Sequence, residues 1–193
     1  MPDLVLPSPV AQRLTRLARQ RGEPRTDPRG IRRRRANDLG ACARLAVLST
    51  ACARRPSSWR GWLDADEVVE AWVAERQGEL LGHVALCEVN RDARSGMRWR
   101  EVTGHPASDL LAVSRLFVRP RVRSQGLGTA LLEMAVAGAR ARGRIPVLEA
   151  VGAGREELRL YEDQGWRPVA LCPARHRSDG LDAHFYLAPR ASA

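Results

Sequence analysis

Hydrophobic and polar positions alternate in a regular order only from Ile31 onward. "IRRRRA" (31–36) opens as an edge strand, and Asn37-Asp38 precedes Leu39, Cys42, Leu45 and Ala46, a spacing that predicts a capped helix. A second short helix is expected near "SSWRGWL" (57–63). "VVEAWVAERQGELLGHVALCEV" (68–89) reads as two strands about a Gln77-Gly78 turn, an antiparallel hairpin. The run from Asn90 to Pro106 is polar, holds Gly96, Trp99, Gly104 and His105, and reads as a long loop of the kind that carries function. Beyond it come a strand at 109–118, a helix at 128–142 closed by Gly143, a strand at 146–151, and a helix at 156–164 closed by Gly165. "RPVALC" and "AHFYLA" supply two final strands. Strand, helix, strand, helix in the middle of the chain implies a parallel pair joined by a crossover.

Before Ile31 the pattern is weaker. Ser8-Pro9 followed by Val10, Leu14, Leu17 and Ala18 gives a helix start and a narrow apolar stripe, with Arg13, Arg16 and Arg19 off it. Such a helix could touch a membrane, serve as a transit peptide or dock on the domain; a frayed tail is the simpler reading. "RGEPRTDPRG" (21–30) is turn-rich and reads as a linker. The division is thus a basic extension over residues 1–29 and one domain over 30–190.

Bulk properties narrow the classes. A chain of 193 residues buries one sizeable core, and 44% apolar with 28% charged residues is ordinary for a globular protein. No apolar run reaches the length of a membrane span. The net charge of +10 suggests nucleic acid, but residues 1–35 hold ten arginines against Asp3, Glu23 and Asp27, so most of the excess is in the first 35 residues. No zinc-finger spacing or aromatic RNA-binding motif accompanies it, which makes nucleic acid an unfavoured partner. All basic residues are arginine, a compositional habit rather than a functional signal. Cys42, Cys52, Cys87 and Cys172 form no C-x-x-C pair and no metal-ligand cluster; they read as free thiols in a reducing compartment. With no apolar signal core in the first ten residues, the cytoplasm is the expected location.

Candidate chemistry concentrates in glycines. A nucleoside-triphosphate loop needs a lysine, and the chain has none. "GAGREE" (152–157) imitates a dinucleotide loop, but Glu157 stands where the third glycine belongs, and no acidic residue follows at the spacing that holds a ribose. The remaining candidate is "RSQGLG" (123–128), which runs from a strand directly into a helix. There Gly126 and Gly128 let a ligand approach the main chain, and the helix start supplies a partial positive charge. A pyrophosphate would be held by backbone alone.

In its register, Leu116, Val118, Pro120, Arg123, Gly126 and Gly128, this stretch closely resembles the acetyl-coenzyme-A loop of the GCN5-related N-acetyltransferases. A second motif of that family is matched by Leu160, Tyr161, Glu162, Gly165 and Trp166, in the expected order and distance. The resemblance is clear over residues 109–172 and extends plausibly over 31–108. It implies a mixed α/β (α+β) fold: a central, mainly antiparallel sheet of six or seven strands, one parallel pair at the cofactor cleft, and about four flanking helices. It also implies acetyl transfer from acetyl-CoA to a primary amine of a small molecule or a protein N-terminus. The pantetheine arm would lie between the strand ending at Val118 and the strand at 146–151. A backbone amide among Leu116, Phe117 and Val118 would polarise the thioester carbonyl. Arg123 and the amides of Ser124, Gln125, Gly126, Leu127, Gly128 and Thr129 would take the pyrophosphate. Homodimers are common among members, and no residue here establishes one.

The resemblance further implies two catalytic groups. Glu149 lies at the strand site where branches acting on protein N-termini carry a base; it also reads as an outward-facing strand carboxylate, and Glu88, Glu101 and His105 compete for the role. A base matters most for an alkyl amine of pKa near 10.4, whose deprotonation at pH 7 costs about 4.6 kcal/mol, against about 1 kcal/mol for an α-amine near 7.8. Tyr161 matches the acid that protonates the departing thiolate, or else packs in the core. Two departures stand out: Gly154 replaces an asparagine frequent in the family, and Glu157 replaces a small residue. They leave an acyl-CoA sensor without turnover as the alternative. Trp59, Trp62 and Trp99 fall where the family builds its acceptor pocket, and are equally core material.

Overall fold

The hairpin of β2 (Val68–Arg76) and β3 (Glu79–Glu88) is the spine of the structure, closed by Gln77 and Gly78 at φ 52° and 77°, the paired left-handed conformation of a tight two-residue turn. The structure is a computed structural model that describes residues 29–49, 56–89, 93–173, 177 and 180–190. Except for Arg29, the expected N-terminal extension and its short helix lie outside the described residues, as does Cys52.

Around the hairpin forms a seven-stranded sheet in the order β1-β2-β3-β4-β5-β7-β6. It adds β1 (Ile31–Arg33) at one edge, then β4 (Leu110–Val118), β5 (Ile145–Val151), β7 (Ala183–Leu187) and, at the far edge, β6 (Arg167–Cys172). All neighbours are antiparallel except β4 and β5. Residues 71–74 and nearly all of β3 are buried without alternation, because helices cover both faces of the sheet there.

Five helices lie among the described residues: α1 (Leu39–Ser49), α2 (Trp59–Leu63), α3 (Ala93–Thr103), α4 (Leu127–Arg140) and α5 (Arg155–Asp163). One face of the sheet carries α4 and α5. Leu127, Ala130, Leu131, Leu132, Ala135, Val136 and Ala139 form the buried stripe of α4, against Trp72, Val84, Leu86, Leu111 and Leu148. Each leucine so buried contributes about 2–3 kcal/mol. Helix and sheet touch so closely that a Cβ on Gly138 would stand 2.5 Å from the Trp72 ring.

On the opposite face, Cys42, Leu45 and Ala46 of α1 and Leu63 of α2 cover Val73, Leu80 and Phe117. Further along that face, Trp99 of α3 packs with Val89, Leu110, Val147 and Phe185. Ser58 caps α2, its hydroxyl accepting from the Gly61 amide at 3.1 Å. The expected cap of α1 takes another form: Ala36–Asp38 is a 3-10 turn, tied by the Asp38 carboxylate accepting the Arg35 amide at 2.6 Å. Arg32 also bonds Asp38 at 2.7 Å and holds its carboxyl below the usual carboxylate range.

One expectation is overturned. The supposed long loop at 90–106 contains α3, whose single large apolar anchor is Trp99, paired edge-on with Phe185 at 5.0 Å. A helix made mostly of charged and small residues forms here because tertiary burial of that one ring outweighs weak patterning. Among the described residues no helix is long and apolar enough to cross a membrane.

Candidate active site

The parallel pair β4–β5 holds for three rungs only: Leu110 with Ile145, Leu111 with Pro146, and Ala112 with Val147. Beyond them β4 stays on β3 as far as Val118, and β5 stays on β7 as far as Val151. Each strand follows its own partner and a fork opens, exposing two unpaired backbone edges. Cross-strand pairing sets which side chains flank it. Ala71, Ala85 and Ser114 form one row, and Glu149 stands opposite Phe185, on the face covered by α3. Ser114 and Glu149 each lie two residues past the last rung, on the same face.

A β-bulge shapes the β4 side. The register slips between His83 and Ala85, and Arg115 takes φ 54°. Two successive residues, Ser114 and Arg115, therefore point to one face, and parity reverses beyond them. Leu116 and Val118 turn toward α4, while Phe117 turns toward α1 and stacks on His83 at 4.9 Å. Arg115 is buried and fully engaged: Nε donates to the Trp62 carbonyl at 2.7 Å, Nη2 donates to Glu67 Oε1 at 2.6 Å, and Nη1 donates to Cys87 Sγ. Its guanidinium carbon lies 5.1 Å from the centroid of the Trp62 ring. His83, 0% exposed, fixes the Arg115 carbonyl through Nδ1 at 2.9 Å. Burial pushes its pKa down to about 3, so the ring is neutral and Nδ1 carries the hydrogen. Burial likewise pushes the Cys87 thiol up to about 11, leaving it an inert neighbour of the Ser114 hydroxyl.

The glycine loop lies at the end of β4. Gly126 is the N-cap of α4 at φ 74°, a conformation that disfavours any side chain. The first bond of the helix runs from the Ala130 amide to the Gly126 carbonyl. Among the described residues, the amides of Ser124, Gln125, Gly126, Leu127, Gly128 and Thr129 donate to no backbone carbonyl. A Cβ on Gly128 would point between Leu160 of α5 and Val118 of β4, at 3.5 and 3.8 Å, so the glycine keeps open a hollow at the end of the fork. The Arg123 guanidinium turns elsewhere, to the Ser49 carbonyl at the end of α1. What Arg123 brings to the loop is main chain.

Tyr161 follows Leu160 on α5 and is buried between Trp166 and Tyr186. Its hydroxyl donates to Glu157 Oε1 at 3.1 Å. Burial, and then the Glu157 charge, push the phenol well above its ordinary value. Glu149 Oε1 accepts Arg177 Nη1 at 3.0 Å. The competing bases stand differently. Glu88 pairs with Leu111, so it faces α4, and it is tied to Arg144 at 2.9 Å; Glu101 is exposed on α3, and His105 follows that helix. Trp99 is core, and Trp59 and Trp62 pack partly buried beside α1. Sequence reasoning missed Ser114, Arg115 and Glu67; Arg115 and Glu67 are 48 residues apart, and the bulge that turns Arg115 inward has no local signature.

Residues 37–166 match the sequence profile described as the Acetyltransferase (GNAT) family. No curated protein matches the chain in sequence. Among solved structures, the ribosomal-protein-S18-alanine N-acetyltransferase from Escherichia coli superposes with a TM-score of 0.62 at 20% identity, over 84% of this chain and 94% of that one. The ribosomal-protein-alanine N-acetyltransferase from Brucella melitensis gives 0.62 at 20%, over 81% and 97%. NAA60 from Arabidopsis thaliana, solved in complex with acetyl-CoA, gives 0.63 at 17%, over 81% and 96%. At such identities these structures attest the fold, and the profile spans most of the chain. The protein belongs to the GNAT family of acetyltransferases.

Proposed function

We propose that this protein transfers an acetyl group from acetyl-CoA to a primary amine of a small molecule or a protein N-terminus. The observation that carries this reading is the fork between β4 and β5 leading straight to the unbonded amides of the Gly126–Gly128 loop. An extended arm bearing amides fits the unpaired strand edges as an added strand, and a pyrophosphate fits a helix start whose donors are free. The hollow kept open by Gly128 is the place where the two meet.

In this assignment the amides of Ser124 to Thr129 bind the pyrophosphate, and the edges beyond Ala112 and Val147 hold the pantetheine. Bound acetyl-CoA supplies an activated thioester. The bulge at Arg115 sets the orientation of the main chain at Leu116, Phe117 and Val118, the source of the amide that polarises the acetyl carbonyl. Glu149 accepts the proton of the attacking amine, across the fork from Ser114. An acceptor ammonium reaches Glu149 in competition with Arg177, which occupies its carboxylate in the structure. The extension over residues 1–29 remains, on this proposal, outside the catalytic domain.

Thiol release from acetyl-CoA over a panel of amines and peptides, with thermal unfolding in acetyl-CoA, NADH and ATP alongside, tests the reading. Saturable release that depends on the acceptor is the expected result. Stabilisation by acetyl-CoA without release from any acceptor would replace the enzyme with a sensor, and neither signal would end both.

A further inference from the structure

Tyr161 and Glu157 stand one turn apart on α5, and the phenol hydrogen is already directed to a carboxylate oxygen at 3.1 Å. The ring is 4% exposed while Glu157 is exposed, so the pair sits at the edge of the core. Among the described residues, the bond to Glu157 is the one hydrogen bond of the hydroxyl. Trp166 and Tyr186 pack on the ring at 6.4 and 5.7 Å. The Tyr186 hydroxyl donates to Glu162 Oε1 at 3.0 Å, with His184 stacked behind it. From α4, Leu127 and Leu131 pack into the same cluster.

Direct acyl transfer adds the amine nitrogen to the thioester carbonyl and then breaks the C–S bond, with the electron pair leaving on sulfur. The nitrogen's proton passes to Glu149 or water, and the thiolate takes up another. A tyrosine assists that last event when its single hydrogen is aimed at sulfur. Held by a carboxylate, the hydrogen is aimed elsewhere, and a phenolate would form beside a negative charge. We propose that Glu157 withholds the Tyr161 proton from the departing sulfur, so that coenzyme A leaves with little help from this side chain and its expulsion is slowed. The proposal rests on the acetyl-transfer reading above. Removing Glu157 therefore makes the enzyme faster.

A double-mutant cycle on the full chain tests it, with Glu157→Ala, Tyr161→Phe and the pair; alanine favours the helix, so α5 is retained. Glu157→Ala should raise kcat about three- to tenfold, and Tyr161→Phe should cost at least about threefold more in that background than in the parent protein. A kcat unchanged or lowered by Glu157→Ala, or an equal cost of Tyr161→Phe in both backgrounds, overturns the proposal. A second arm needs no turnover. The chain has two tyrosines, so in Tyr186→Phe protein the ultraviolet absorbance of phenolate reports Tyr161 alone. Adding Glu157→Ala should move that ionisation to lower pH, and an unmoved ionisation refutes the pairing. Were the parent protein to acetylate nothing, the acetyl-transfer reading would fall while this titration still decided the role of Glu157.

Discussion

Ser114 and Glu149 face each other across the fork, each two residues past the last rung that joins β4 to β5 and both on the same side of the sheet. A hydroxyl and a carboxylate thus flank the opening in which, on the proposed function, an acceptor amine meets the acetyl group. Glu149→Gln removes the proposed base and keeps the shape. Its expected cost in kcat is about 10²-fold for an alkyl amine and about tenfold for an α-amine, because the first must shed a proton it holds far more tightly. Initial rates with two such acceptors near pH 7 give the ratio; equal losses would remove Glu149 as the base.

Gly128→Val tests the hollow between Leu160 and Val118. Fold stability should change by less than about 1 kcal/mol, since the residue is helical and its Cβ meets only ordinary contacts. Stabilisation by acetyl-CoA, about 2.7 kcal/mol at one hundred times the dissociation constant, should vanish. Thermal unfolding with and without acetyl-CoA reads both quantities in one experiment.

His83 makes acid destabilise the fold. Its folded pKa of about 3 lies below the unfolded value of 6.5, so between those limits the unfolded chain binds the extra proton. Stability conferred by the neutral ring is fully present above pH 6.5 and is lost as pH falls toward 3, by about 1.4 kcal/mol per unit. Urea unfolding between pH 5 and 7 should show a clear slope in the parent protein and a shallower one in His83→Gln. Equal slopes would refute the assignment.

Arg115→Ala should cost about 2–4 kcal/mol, because it leaves the Trp62 carbonyl without its donor, removes the ion pair with Glu67 and empties a packed site beneath the bulge. The midpoint of denaturant unfolding checks the figure. Acetyl-CoA binding should weaken as well, since the strand edge loses its support.

Gly138→Ala offers a contrast far from the fork. Alanine adds helix propensity of about 1 kcal/mol, yet its methyl would overlap the Trp72 ring, an overpacking that costs about 1–3 kcal/mol. A net loss in the melting temperature is expected, with acetyl-CoA binding unchanged.

What could be read from the sequence was local. Gly126 had to be glycine for the turn it makes, and the loop that follows "LFVRP" announced its conformation. The hairpin at Gln77-Gly78 was equally plain. α3 was hidden because one tryptophan and one valine are most of its apolar stripe. Glu88 could be entertained as a base only until strand parity put it on the α4 face. Ser114 and Arg115 were invisible for a related reason. A bulge reverses parity, and only the pairing of β4 with β3 reveals where it falls.

Three rungs are a narrow bond between the two halves of a sheet. Each half is a continuous antiparallel leaf, stiff along its own strands, and α4 lies across the seam like a splint. Amide exchange should accordingly divide the molecule along this line, with two slowly exchanging blocks and a seam that breathes. A ligand arm bonded to both edges adds the rungs that the chain itself omits, and the two leaves become one. The two halves of the sheet are joined most sparingly along the line where the protein is proposed to work, and on that proposal the substrate would serve as the missing strand.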